Sequence, residues 1–157
     1  MPASSLRLDD LIPHRDAMRL IDEVVAFDAD KGEISAAFTA TPAWCGNWAA
    51  IEYMAQTAAA AAGAVDRMEG WEGPPRPGFL LGSRKLELYI DRFESGRRYL
   101  ATARNTFRDS DAASFDCEIS DGERVVARAT LNAYRPPDAG RFLAEQDGRP
   151  ASRTDGR

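Results

Sequence analysis

Asn47-Trp48-Ala49-Ala50-Ile51-Glu52-Tyr53-Met54-Ala55-Gln56, running through Thr57 into the alanines Ala58 to Ala62, decides the fold. Alanine, methionine and glutamine favour helix, and the side-chain oxygen of Asn47 can accept from the free amides of a first turn. The stretch therefore predicts one long helix from Asn47 to about Met68. Its alanines leave a thin rod that a sheet or a second helix can approach closely. Residues three, four and seven apart share a helical face, which gathers Trp48, Glu52, Ala55, Gln56 and Ala59 into one stripe. Gln56 then lies one turn from Glu52 and can orient it. A carboxylate on such a helix is either solvated beside some arginine or held for chemistry, and the apolar neighbours of Glu52 weigh toward the second.

On the N-terminal side, LRLDDLIPHR (6–15) reads as a short helix or turn stopped by Pro13, and MRLIDEVVAFDAD (18–30) as a strand. Lys31-Gly32 turns the chain into a second strand, EISAAF, and Thr39 to Gly46 forms a loop carrying Pro42, Trp44 and Cys45. Beyond the helix, EGWEGPPRPG (69–78) is a connector that proline and glycine keep out of helix. The rest reads as strands: GFLLGSRKLELYI, RRYLATARNTF, AASFDCEIS and RVVARATLNAY. Asp121-Gly122 is a strong hairpin signal between the last two, and Glu94-Ser95-Gly96 a weaker one. Two strands, a helix and four strands joined by short turns cannot form a doubly wound sheet, which needs a helix between successive parallel strands. The economical packing is α+β, one antiparallel sheet wrapped around one long central helix.

A chain of 157 residues with 44% hydrophobic and 29% charged content can bury a core as one domain, expected over 1–135, with 136–157 as a flexible polar tail docked loosely, if at all, through Phe142 and Leu143. The start MPASSLRLDD has no basic and apolar leader pattern, and Glu52 and Gln56 interrupt the best apolar run, so neither a membrane span nor export is expected and the cytoplasm is the expected compartment. A formal net charge of -5 argues against nucleic acid as the main partner. Cys45 and Cys117 lack metal-ligand spacing, and a single histidine argues against a zinc or di-iron site; two reduced thiols are expected.

Three segments in order resemble one family, the hot-dog-fold β-hydroxyacyl-carrier-protein dehydratases of the FabA/FabZ type. LIPHRDAMRLIDEVV is similar to that family's N-terminal L-P-H-R segment, IEYMAQ to its E-x-M-A-Q helix motif, and Arg92, Phe93 and Gly96 leading to Leu100 to its R-x-F-x-x-P-G-D-x-L turn. Trp48 with Glu52 to Gln56 resembles the helix start of the aryl-polyene-pathway branch, Ala50 standing where that branch has glycine. The resemblance covers about Leu8 to Tyr134. It implies dehydration of a 3-hydroxyacyl thioester, in which a histidine removes the α-proton and a helix acid protonates the departing hydroxyl. Glu52 matches the acid, and the helix-start amides around Trp48 and Ala49 are the expected contact for the thioester oxygen.

The family's catalytic histidine belongs fourteen residues before the acid, where this sequence has Phe38. His14 matches the P-H-R motif, a structural element in the family, and is a candidate base only if the fold brings it beside Glu52. Three readings follow: a dehydratase half-site whose histidine comes from a hot-dog paralogue in a heterodimer, a hot-dog thioesterase in which the helix carboxylate activates water, or a non-catalytic subunit that binds acyl carrier protein. The implied partners are a carrier-protein or coenzyme A thioester and a second hot-dog chain, identical or not. No cofactor is implied beyond the phosphopantetheine that the substrate carries. Trp44 and Trp48 are candidates to line an acyl tunnel or to pack in the core. Arg84 and Arg92 are candidates to meet an acidic carrier protein and its phosphate, or to form the wet face of a strand. Cys45 near the helix start reads as an inert thiol.

Overall fold

The computed structural model describes residues 2–138, 141, 144, 145, 147 and 148, so Phe142 and Leu143 lie outside the described residues. A short helix α1 (Leu8–Leu11) ends two residues before Pro13, and a long helix α2 (Ala50–Met68) follows the second strand. The strands are β1 (Glu23–Asp28), β2 (Glu33–Thr39), β3 (Phe79–Leu88), β4 (Arg98–Arg108), β5 (Ala112–Ser120) and β6 (Val125–Tyr134). They form one antiparallel sheet in the order β1-β2-β4-β5-β6-β3, with α2 lying across β4, β2 and β5. This is the hot-dog arrangement that the sequence motifs imply.

Alternation within the strands explains why the sheet wraps the helix. Ile34, Ala36 and Phe38 on β2, Tyr99, Ala101 and Ala103 on β4, and Phe115, Cys117 and Ile119 on β5 are all buried at every second position. They share one core with Tyr53, Met54, Ala60, Ala61 and Ala64 of α2. Phe38 stacks on Tyr53 with ring centroids 3.7 Å apart, and Phe93 and Tyr99 meet the same pair edge-on and face-on. This aromatic cluster anchors the N-terminal half of the helix, where side chains are large. The C-terminal half packs mainly through alanine and Gly63, with Asp66 the buried polar exception.

Three local expectations are corrected. Asn47 does not cap α2, because a 3-10 turn over Asn47–Ala49 precedes it and the Asn47 amide donates instead to the Ile90 carbonyl at 3.3 Å. The strand expected from Met18 begins at Glu23, since the Met18 carbonyl and the Leu20 amide bond the Gln56 side chain. Glu94 to Gly96 does make a turn, with Gly96 at φ +85°, but it joins no hairpin: β3 and β4 are separated in the sheet by β5 and β6. Asp121 to Arg124 is the expected hairpin, closed by the Asp121 amide on the Arg124 carbonyl.

Gly63 records how tightly α1 sits on α2. A methyl group there would lie 2.3 Å from the Leu11 carbonyl oxygen. Replacing glycine by alanine inside a helix ordinarily stabilises by about 1 kcal/mol. At Gly63 the sign is expected to reverse, with Gly63→Ala costing about 1 to 3 kcal/mol in denaturant unfolding because α1 must shift. A gain in stability would mean that α1 does not rest on this helix.

Candidate active site

Glu52 stands in the first turn of α2 with its side chain 35% exposed. Below it Gln56 is fully buried, and its amide is used on both sides: Oε1 accepts from the Leu20 amide at 2.8 Å, while Nε2 donates to the Met18 carbonyl at 2.7 Å and to Glu52 Oε1 at 2.9 Å. The helix carboxylate is therefore oriented as the i, i+4 spacing predicted. The same amide fastens the segment after α1 to the helix, and that segment carries the histidine.

His14 follows Pro13 in a loop that Arg15 ties down. The Arg15 guanidinium donates to the carbonyls of Ile12 at 2.6 Å, His14 at 2.8 Å and Asp9 at 2.8 Å. The result is that His14 Nε2 lies 3.8 Å from Glu52 Oε1, across 38 residues of sequence. Its Nδ1 is buried without a hydrogen-bond partner among the described residues. Burial holds the imidazole below its ordinary pKa of 6.5; the Glu52 carboxylate opposes this and Arg15 reinforces it. A histidine in that state is neutral at pH 7 and able to take a proton.

Both groups open onto a cavity of about 310 Å³ between α2 and one end of the sheet. Glu52, Ala55, Ala59, Ala62 and Val65 form its helical wall, and Ala113, Phe115, Leu131 and Ala133 face them from β5 and β6. Its far end is charged. Asp66, only 2% exposed, takes Arg76 at 2.8 Å and Arg135 at 2.7 Å, and Arg108 forks onto Glu69 with two bonds of 3.0 Å. Sequence reasoning passed over this cluster. The signal was present in Asp66, a carboxylate among alanines and valine, which invites the question asked of Glu52.

The other candidates fall elsewhere. Trp48 is 59% exposed and Trp44 is half-buried, their rings tilted at 5.5 Å, and neither lines the cavity. The amide of Ala49 already donates to the Gly46 carbonyl, and that of Ala50 to the Asn47 carbonyl, so the helix start offers no free amide at those positions. Arg92 bridges Gly46 and donates to Cys45 Sγ at 3.1 Å, a buried thiol that also points at the Pro42 carbonyl. Arg84 is exposed on the edge strand β3 opposite Thr130. Phe38, fourteen residues before Glu52, is sealed in the aromatic cluster, so no base can act from that position on this chain. Of the candidates, the structure brings together Glu52, Gln56 and His14.

No curated protein sequence matches the chain significantly. Among solved structures, a chain of the dehydratase heterocomplex ApeI:P from Xenorhabdus doucetiae is similar at 22% identity and a TM-score of 0.79, covering 94% of this chain and 98% of that one. A protein from Helicobacter felis described as an HP0420 homologue is similar at 14% identity and a TM-score of 0.63, covering 88% and 94%. A putative thioesterase from Ralstonia eutropha, described as related to phenylacetic acid degradation, follows at 17% identity and a TM-score of 0.54, covering 71% and 82%. These likenesses carry the fold. No helix among the described residues is long and apolar enough to cross a membrane. The model of the ApeP-like family, described as ApeP dehydratase, matches residues 6–144. The chain therefore belongs to the ApeP-like dehydratase family, hot-dog dehydratases of the aryl-polyene type that its motifs resemble.

Proposed function

We propose that this chain dehydrates 3-hydroxyacyl thioesters, with Glu52 as the acid, Gln56 as the residue that orients it and His14 as the base. The observation that carries the reading is the 3.8 Å pairing of a neutral histidine with a fixed carboxyl group at the open end of the cavity. With Glu52 entering the step as the carboxylic acid, His14 takes the α-proton, Glu52 gives its proton to the β-hydroxyl, and water leaves as the double bond forms. Transfer of the captured proton from His14 to Glu52 then restores both groups. The acyl group arrives on phosphopantetheine, borne by an acyl carrier protein or by coenzyme A in the cytoplasm, and the protein itself needs no cofactor.

A second reading keeps Glu52 as the acid and takes the base from a histidine-bearing hot-dog partner in a heterodimer. The closed aromatic packing around Phe38 favours it, and so does the similarity to a chain of a dehydratase heterocomplex. The two readings are separated by mass spectrometry of a 3-hydroxyacyl-loaded carrier protein. Loss of one water with the chain alone, reduced at least about 100-fold by both Glu52→Gln and His14→Asn, is the expected result. Loss that depends on Glu52, ignores His14 and requires an added hot-dog partner supports the heterodimeric site. Release of the free acid would make the protein a thioesterase, and an unchanged carrier in every mixture would leave a carrier-binding subunit.

The state of the base is open to direct measurement, because His14 is the single histidine of the chain and gives one imidazole resonance. Its titration by NMR is expected to lie below 6.5, and lower still in Glu52→Gln, which removes the carboxylate that raises it. The sign for stability follows from the unfolded chain binding this proton more readily: the contribution is whole above pH 6.5 and is lost as pH falls toward the lowered value. A titration above 6.5 would remove the case for His14 as the resting base.

A further inference from the structure

We propose that the Asp66–Arg76–Arg135 cluster is the stop that sets the length of acyl chain this site accepts. This rests on the dehydratase reading and deepens it. The cavity begins at Glu52 and His14, where the reacting carbons would lie, and runs along α2 to Val65. That stretch of helix is about 20 Å at 1.5 Å per residue. An extended chain advances about 1.2 Å per bond, so length alone admits about 16 bonds. Added to the reacting carbons, this gives a saturated straight chain of at most about 18 carbons.

What the chain end meets decides that the limit is sharp. Along α2 and the facing strands the walls are alanine, valine, leucine and phenylalanine, with Asn105 and the 109–111 turn at the rim, so each added methylene laid on the helical wall leaves water for an apolar surface. Beyond lie the guanidinium groups of Arg76 and Arg135, both held by the buried Asp66 carboxylate. A longer alkyl chain must pull one guanidinium away, leaving Asp66 buried and under-paired, which is far costlier than leaving the end of the chain in water. Arg76 is the weaker of the two gates, since it stands on the 69–78 connector with its side chain 41% exposed and its guanidinium over the Trp71 ring at 4.7 Å.

The test is a series of 3-hydroxyacyl pantetheine thioesters, stepped from about 6 to about 22 carbons to bracket the limit set by the length of the helical wall. Each is assayed for water loss and, on Glu52→Gln, for calorimetric binding. In binding, affinity is expected to rise up to about fourfold per carbon and to stop rising by about 18 carbons. Ala62→Leu, which fills the groove, is expected to move the break to shorter chains, and Arg76→Ala, which opens its end, to longer ones. A break at the same length in all three proteins, or an affinity indifferent to length, overturns the proposal even where short thioesters lose water. Failure of every thioester to lose water, with the break in binding present and moved by the variants, would instead overturn the dehydratase reading and leave the acyl stop standing.

Discussion

Gln56 is the point on which the site depends. A primary amide placed where no water reaches is costly unless its donors and acceptor are all engaged. Here they are, by one backbone amide, one backbone carbonyl and the carboxylate of Glu52. Two of these partners belong to the segment between α1 and β1, the third to the helix. One side chain therefore fixes both the rotamer of the acid and the distance to the loop that bears His14. That requirement also explains why β1 starts late: the backbone of Met18 and Leu20 is spent on the amide before it can join the sheet.

The thinness of α2 is the complementary constraint. Its C-terminal half offers alanine to the sheet and glycine to α1, so the backbones come close, yet between Ala55 and Val65 the same small side chains leave the apolar cavity open. Larger residues would close it. The aromatic cluster of Phe38, Tyr53, Phe93 and Tyr99 does the reverse at the other half, filling with ring surface the place from which the family's histidine acts. Ring packing closes that position, and the candidate base on this chain comes from a different element.

Much of this was legible in the sequence because it is local. The helix, its Glu52–Gln56 pair and the Asp121 hairpin follow from spacing and turn chemistry within a few residues. The positions that eluded sequence reasoning depend on residues far apart. Asn47 looks like a cap until the chain ahead of α2 winds into a 3-10 turn that consumes the amides of Ala49 and Ala50. His14 sits beside Glu52 only through the Gln56 and Arg15 ties, and the Asp66 cluster draws on arginines ten and sixty-nine residues away. Spacing carries no information on either.

The placement of His14 and Glu52 on one side of the cavity constrains the stereochemistry of the proposed elimination. A base and an acid only 3.8 Å apart cannot straddle the bond between the two reacting carbons. Proton and hydroxyl must then leave from the same face, with the acyl chain held edge-on along α2. That pose demands a straight groove whose direction is set by the helix, which is what the Ala55, Ala59 and Ala62 wall supplies. It also leaves the thioester carbonyl near the start of α2, where Ala49 and Ala50 have already spent their amides on the preceding turn. The donor for that oxygen then comes from the Trp48 amide, from another element or from a second chain, because Glu52 and His14 are both committed to proton transfer.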